Sequence, residues 1–482
     1  MLQTLKNAWN TKEIRSKIFF TLFILLLYRI GTVIPVPFVE ANNFANSFSG
    51  TILDYLNTLS GGSLGTATLF ALGVSPYINA SIIIQLLAVV FPKLGEIAKN
   101  DKKTMNFITR IVTVALAIVT AIGYYFLLKK GGALTNSATP GNNKLFWFYG
   151  IVIVACYCAG ASLIMWLAER INERGIGNGI SLILFANIIS SMPSFAINLG
   201  QLVWGTYNYA QKPWLYGIVS TVFALTLIAI IIALTIFVIW VTGSERRIPV
   251  QYAKKVVGRK MYGGQSSNLP IKLNMTGVMP IIFASSIVSL VPTILAFFEF
   301  KDTTPAGRFW LQVDYWLSAE QFIYPLALFI LIIAFSYFYT QISFDPIEVA
   351  NNLKRQGGAI PGIRQGRPTS DYIKKILSKI TLAGALFLSI VAVLPIVAGP
   401  HIITHILDWL ITGGYLDIFS DPAYSGYTAF YEAYYIDPQV QALSSIFTFG
   451  GTTLLIVVGV ALETFRELEA QLTMRNYKGF LN

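Results

Sequence analysis

The chain is short of charge, of histidine and of cysteine. Only 12% of its 482 residues are Asp, Glu, Lys or Arg, whereas 55% are hydrophobic, and its mean hydropathy is +0.62. That balance excludes a soluble globular domain and calls for many membrane spans. The two cysteines, Cys156 and Cys158, stand one residue apart in the apolar run FYGIVIVACYCAGASLIMWLA. Such a pair suits neither a structural disulfide nor a metal site, so packing is their expected role. The two histidines, His401 and His405, precede Asp408 and share one helical face by their spacing, but no third and fourth ligand follow in a fixed pattern. The competing reading is a membrane-surface helix with Trp409 at the interface.

Recognisable enzyme chemistry is missing too. The chain has no Gly-x-x-x-x-Gly-Lys-Ser/Thr loop, so it is not expected to hydrolyse nucleotides. Gly175, Gly177 and Gly179 in ERGIGNGIS follow no strand and read as a tight turn with Asn178 near a helix start. Arg29 is the one charge clearly inside a span. Ion-coupled transporters keep ionisable partners within their spans, which weighs against a secondary transporter for a small solute; that reading is kept as the alternative.

Long apolar windows mark ten spans, at about 18–38, 76–92, 107–128, 146–167, 178–198, 216–241, 276–298, 322–342, 377–398 and 443–462. No cleavage site for a signal peptide is evident, so the first span is expected to be retained. Of the 35 basic residues, only Lys129, Lys130, Lys144, Lys212, Lys301 and Arg308 fall in connections on one side. The other side, with both termini, is expected to be cytoplasmic. Ten spans with both ends on one side divide into two sets of five that run in opposite senses, the arithmetic of an inverted repeat with its working site where the halves meet. The predicted fold is therefore an all-α integral membrane protein with halves 1–200 and 201–482.

The stretch from Ser60 to Pro92 stands apart. Its helix can start at Pro76 and must end near Pro92, which gives roughly 24 Å, short of a hydrocarbon core about 30 Å thick. Residues 60–72 ahead of it are rich in Gly, Ser, Thr and Ala. They read as a half-inserted hairpin inside a membrane bundle, a stopper in a channel; a broken packing helix is the plainer reading.

Two connections on the basic side, about 242–274 and 343–376, are too long and too basic to be turns. The first holds Arg246, Arg247, Lys254, Lys255, Arg259, Lys260 and Lys272, and the second Lys354, Arg355, Arg364, Arg367, Lys374 and Lys375. Alternation in RRIPVQYA, the Gly263-Gly264 pair and the Pro and Gly around Arg364 predict projecting hairpins. Basic tips of this kind suit an acidic protein surface or ribosomal RNA phosphates.

YRIGTVIPVP, SGGSLGTATLFALGVSPYINASIIIQLL, ERGIGNGIS, RRIPVQYAKK, NMTGVMPIIFASS, IPGIRQG and FGGTTLLIVV together closely resemble the SecY family, the channel subunits of the bacterial Sec protein translocase. They keep the family's order over nearly the whole chain. The resemblance implies a channel that passes unfolded secretory polypeptides and releases transmembrane segments sideways into the bilayer, without catalysis or cofactor. It implies a plug at about 60–72, with Ser60, Gly61, Gly62, Leu64 and Leu69, and a pore ring of Val74, Ile78, Ile180, Leu184, Ile282 and Ile456. Each spacing of four, Val74 to Ile78 and Ile180 to Leu184, puts a pair on one helix face. A lateral gate would involve the second, third, seventh and eighth spans, with Gln85 along its seam. Arg246, Arg247, Lys254, Lys255, Arg259, Lys260 and Arg364 would dock a SecA motor or a ribosome. SecE-like and SecG-like small subunits, preproteins, nascent membrane proteins and a bacterial cytoplasmic membrane complete the implied setting. The acidic segment Gly399–Ala442 departs from the family by its length, so the outer face is the least defined part of the expectation.

Overall fold

The computed structural model describes residues 2–40, 57, 60–135, 146–209, 213–252, 255–257, 260–262, 266–298, 304–317, 323–412 and 451–478. Among them, a helix occupies each of the ten expected spans. These are α2 (Lys12–Gly31), α3 (Ser75–Val90), α5 (Lys102–Lys130), α6 (Phe146–Arg174), α7 (Gly179–Tyr209), α8 (Pro213–Gly243), α9 (Met279–Ala296), α11 (Ile323–Ser343), α13 (Arg367–Thr412) and α14 (Gly451–Lys478). Shorter helices fill connections: α1 (Leu2–Asn10), α4 (Pro92–Asn100), α10 (Pro305–Leu317) and α12 (Pro346–Arg355). Among the described residues, six helices are long and apolar enough to cross a membrane unaided, and α3 passes that length test only together with α4, from which it is bent by 118°. Pro92, which lacks an N–H and sits at the start of α4, marks the bend.

The packing repeats between halves. α3 lies on α5, α5 on α6 and α6 on α7; correspondingly α9 lies on α11, α11 on α13 and α13 on α14. The halves meet where α3 touches α9 and where α14 touches α7. A short sequence echo accompanies this symmetry. Gly73-Val74-Ser75-Pro76 opens α3 and Gly277-Val278-Met279-Pro280 opens α9, with Gly φ of 57° and 65° and with Val N-caps at φ −88° ψ −7° and φ −91° ψ −8°. Positive φ favours glycine, and proline is tolerated in the first helical turn because its missing N–H has no partner there.

Several expected boundaries move. The first span was expected to reach 38, but α2 stops at Gly31. Pro35 and Pro37 cannot continue a helix, and the freed strand pairs with the segment 60–72 through a Pro35–Thr68 bridge and a Leu69 N–H that donates to the Ile34 carbonyl at 2.9 Å. The fifth span, expected to end at 198, continues as α7 to Tyr209. The outer connection, expected from 399, starts later, because the backbone of α13 stays helical through His401 and His405 to Thr412. Residues 413–442 of that connection and 443–450 of the tenth span lie outside the described residues.

The long basic connections carry small sheets. β1 (Glu245–Tyr252) and β4 (Ser266–Lys272) form the expected hairpin, with β2 (Lys255–Val257) paired to β3 (Lys260–Tyr262) nearer its tip. The second connection departs from a hairpin: Asp345 caps the N–H of Ile347 at 2.8 Å and starts the amphipathic α12, which the hairpin expectation missed. Its β5 (Gly358–Ala359) then pairs with β1, so the two connections form one sheet in the order β4-β1-β5.

Candidate functional site, a plugged apolar pore

Val74, Ile78, Leu184, Ile282 and Ile456 are buried in one apolar cluster, and Ile180 packs against it. They come from α3 or its N-cap, α7, α9 and α14, two helices from each half. Ile78 and Ile282 occupy equivalent places, each donating its N–H to the carbonyl of the Val that caps its helix, at 3.0 and 3.2 Å. Gly459 lets α14 approach this point: a Cβ there would stand 2.1 Å from a Val278 methyl. A collar of branched aliphatic side chains, with no hydrogen bonds of its own to satisfy, can exclude water and ions and can yield to any polypeptide.

Beside the collar, residues 60–74 form a chain of tight turns stitched to the first half. Tyr124 of α5 donates its hydroxyl to the Leu64 carbonyl, and Tyr157 of α6 donates to the Ala67 carbonyl at 3.3 Å. The two tyrosine rings meet edge to face at 5.0 Å. Phe70 stacks on Tyr28 of α2 at 5.4 Å, and its ring occupies the space where a Cβ on Gly31 would sit. Gly160 of α6 is equally closely approached, its virtual Cβ 2.0 Å from the Leu69 carbonyl oxygen. Gly61, at φ 68°, faces Arg29, Asn187 and Ser190. Ser60 caps the Leu64 N–H at 3.1 Å, and Gly62, at φ 85°, turns the chain. The expected plug residues are thus seated by Tyr28, Gly31, Tyr124, Tyr157 and Gly160, none of which the sequence singled out. A glycine three residues after a tyrosine in the otherwise apolar α6 was the available signal.

The seam between the halves is fastened at two levels. Gln85 of α3 accepts a hydrogen bond from the Tyr339 hydroxyl of α11 at 2.6 Å, and its amide donates to Ser81 at 2.8 Å. Phe283 and Phe335 pack around Tyr339 at 5.1 and 6.3 Å. At the other end, Phe297 covers Gly123 of α5, whose virtual Cβ falls 2.0 Å from that ring. Along the seam, past the Phe297–Gly123 contact and out to Lys130, lies a cavity of about 660 Å³, bounded by residues of 60–74, Ile78, Leu184, Ile282 and Ile456, a row of α9 hydroxyls (Ser285, Ser286, Ser289, Thr293) and the outer half of α5. Gly123→Leu is expected to push Phe297 off α5 and part the seam. Distance measurements between spin labels on Phe126 and Phe298 should lengthen without any client; an unchanged distance would count against this clasp.

On the basic face, Arg246 and Arg247 are exposed on β1, and Arg247 pairs with Glu245 at 2.8 Å. Lys255 and Lys260 lie on β2 and β3, whereas Lys254 and Arg259 are outside the described residues. Arg364 is exposed in a turn made by Gly362 and Gly366, at φ 80° and 95°, and its carbonyl accepts from Thr369 at 2.8 Å. Gln365 ties that turn to the Gly358 carbonyl at 3.1 Å, which places Arg364 beside the β1 sheet. At the sheet's root, burial pulls the Lys272 ammonium below its usual range and Arg466 adds repulsion. Among the described residues, no group of three or more His, Cys, Asp or Glu could hold a metal ion.

A family model described as SecY matches residues 68–416, from the plug to beyond the ninth span. The chain belongs to the SecY family. Full-length relatives agree: it is 37% identical to the protein translocase subunit SecY of Streptomyces galbus over 494 residues and 38% identical to that of Mycobacterium tuberculosis over 494 residues, with 100% of each chain covered. Its fold is similar to that of a solved protein-conducting channel, at TM-score 0.54 and 16% identity over 94% of this chain and 91% of the other. A structure concerned with how the SecY plug domain stabilises the closed channel matches at TM-score 0.52 and 16% identity, again covering 94% and 91%. The family assignment removes the small-solute transporter reading.

Proposed function

We propose that this SecY-family chain is the protein-conducting subunit of a Sec translocase, passing unfolded polypeptides through the apolar collar and releasing apolar segments through the seam between α3, α5, α9 and α11. The single observation that carries this reading is the convergence of both halves on one aliphatic collar with a turn-rich plug seated beside it. Passage without sequence preference follows from a constriction that offers side chains no hydrogen-bonding groups to recognise. The Gln85–Tyr339 and Gly123–Phe297 clasps are the gate contacts that sideways release has to break.

The excess of basic residues on one side supports an orientation with both termini and the β1–β5 sheet on the cytoplasmic side of a bacterial membrane. There, Arg364 and the exposed arginines of β1 form a docking platform for a SecA motor or for ribosomal RNA. The sheet gives this platform a rigid base, since Ile248, Val250 and Ile271 are buried with Leu353 and Ile360 beneath it. Small SecE-like and SecG-like subunits complete the complex, and the chain carries out no catalysis.

Proteoliposomes containing the chain with its co-purified small subunits, supplied with motor ATPase, ATP and an unfolded preprotein, test this reading. ATP-dependent protection of the preprotein from added protease is expected; no protection with a competent motor would overturn it. Arg364→Glu is expected to cut motor-driven protection about tenfold, the loss of one desolvated charge contact, while the complex still folds and inserts. Normal export by that variant would remove Arg364 from the dock.

A further inference from the structure

The cavity that runs alongside the Phe297–Gly123 clasp and on to Lys130 has features that passage of a polypeptide does not need. Its outer end is lined by Lys129 and Lys130, at the last turn of α5, both exposed. Its side wall opens outward. Val119, Phe126, Ile294 and Phe298 line it and are themselves 63%, 49%, 44% and 57% exposed on the surface that faces lipid. From Leu116 to Lys130 the α5 wall runs roughly 20 Å, the depth of one leaflet of a core about 30 Å thick and a little more.

We propose that the resting channel binds an anionic phospholipid of the outer leaflet here, with one acyl chain in the slot between α5 and α9 and the headgroup phosphate at Lys129 and Lys130. The inference rests on the gate reading and orientation above, and it names the occupant of the gate when no client is present. The charge order carries it. Cations stand only at the mouth, apolar groups line the lipid side, and the α9 hydroxyls form the inner wall, so the slot is amphiphilic along its length and open to the bilayer. An apolar client segment entering sideways has to displace this chain. The lipid then acts as a removable wedge that keeps the slot dry while the gate is shut.

The test uses the complete channel complex in nanodiscs doped with phosphatidylglycerol carrying a photoactivatable acyl chain, and in parallel with the matching phosphatidylcholine. After illumination, the labelled residues are mapped. Phosphatidylglycerol is expected to label 116–126 and 285–298, and the paired change Lys129→Gln, Lys130→Gln is expected to lower that labelling about tenfold, to the level of phosphatidylcholine. Ser286→Trp, which fills the slot and leaves both lysines, is expected to abolish labelling by either lipid. Equal labelling by the two lipids in the unaltered channel, or phosphatidylglycerol labelling unmoved by the lysine changes, would overturn the proposal. Cross-linking of an apolar client peptide to these walls, where no lipid labels them, would overturn it and leave the gate reading standing. Lipid labelling that no client peptide displaces would uphold the lipid site and count against the gate reading.

Discussion

Replacing Gly160 with valine is expected to raise the resting ion conductance of the client-free channel by about 5- to 150-fold. The added Cβ would stand 2.0 Å from the Leu69 carbonyl oxygen and 3.0 Å from its carbon, which are backbone atoms and cannot swing aside. Overpacking of this kind costs about 1–3 kcal/mol, and the least costly relief is for the plug to leave its seat. The plug is the weaker partner, because residues 60–74 are held by turns and a few side-chain hydrogen bonds while α6 is a continuous helix. Bilayer recordings without motor or client read the effect directly. Gly200→Val serves as the control, since among the described residues a Cβ added at Gly200 would meet nothing within 4 Å; a leak of equal size in both variants, or in neither, would contradict the seating role.

Ile282→Ala combined with Ile456→Ala is expected to produce a second, separate leak. Both residues are buried in the collar, at 3% and 1% exposure, and truncating two branched side chains removes the apolar bulk that keeps the constriction dry. Each truncation also costs about 2–5 kcal/mol of packing, so thermal stability of the complex has to be measured beside conductance. On the proposed reading plug and collar are serial barriers, so ions cross only when both are open. The leak factors of the collar variant and Gly160→Val are therefore expected to multiply, giving little coupling energy in a double-mutant cycle. A combined leak no larger than the greater single one would mean that the two are one barrier.

Composition and periodicity made the spans legible, because the bilayer imposes both length and apolarity on each one. They also made legible the broken second span, since Pro76 and Pro92 bracket a stretch too short to cross. The identity of the collar was not legible from spacing: Val74, Ile78, Leu184, Ile282 and Ile456 are ordinary core residues in their local sequences, and only the resemblance to the SecY family selected them. The seat of the plug was hidden for a different reason. Tyr124 lies 60 residues from Leu64, and Tyr339 lies 254 residues from Gln85, so these hydrogen bonds exist only once the helices have packed. The glycines at 31, 123 and 160 look like weak points in their helices until an aromatic ring or a carbonyl is found where each side chain would be. The union of the two basic connections into one sheet was likewise unreadable, because it depends on pairing Gln251 with Ala359 and Tyr252 with Gly358.

The most direct test of the central claim is to ask what surrounds a client caught in transit. In a channel with Cys156 and Cys158 replaced by serine, single cysteines at positions 78, 184, 282 and 456 would each be probed for disulfide formation with one cysteine in a stalled, ATP-driven preprotein. The lipid-facing Leu163, 46% exposed, supplies the control position. Cross-links at all four collar positions and none at 163 are predicted, since the client has to fill the constriction. Cross-links confined to the lipid-facing position, with the collar unlabelled, would contradict passage through this pore.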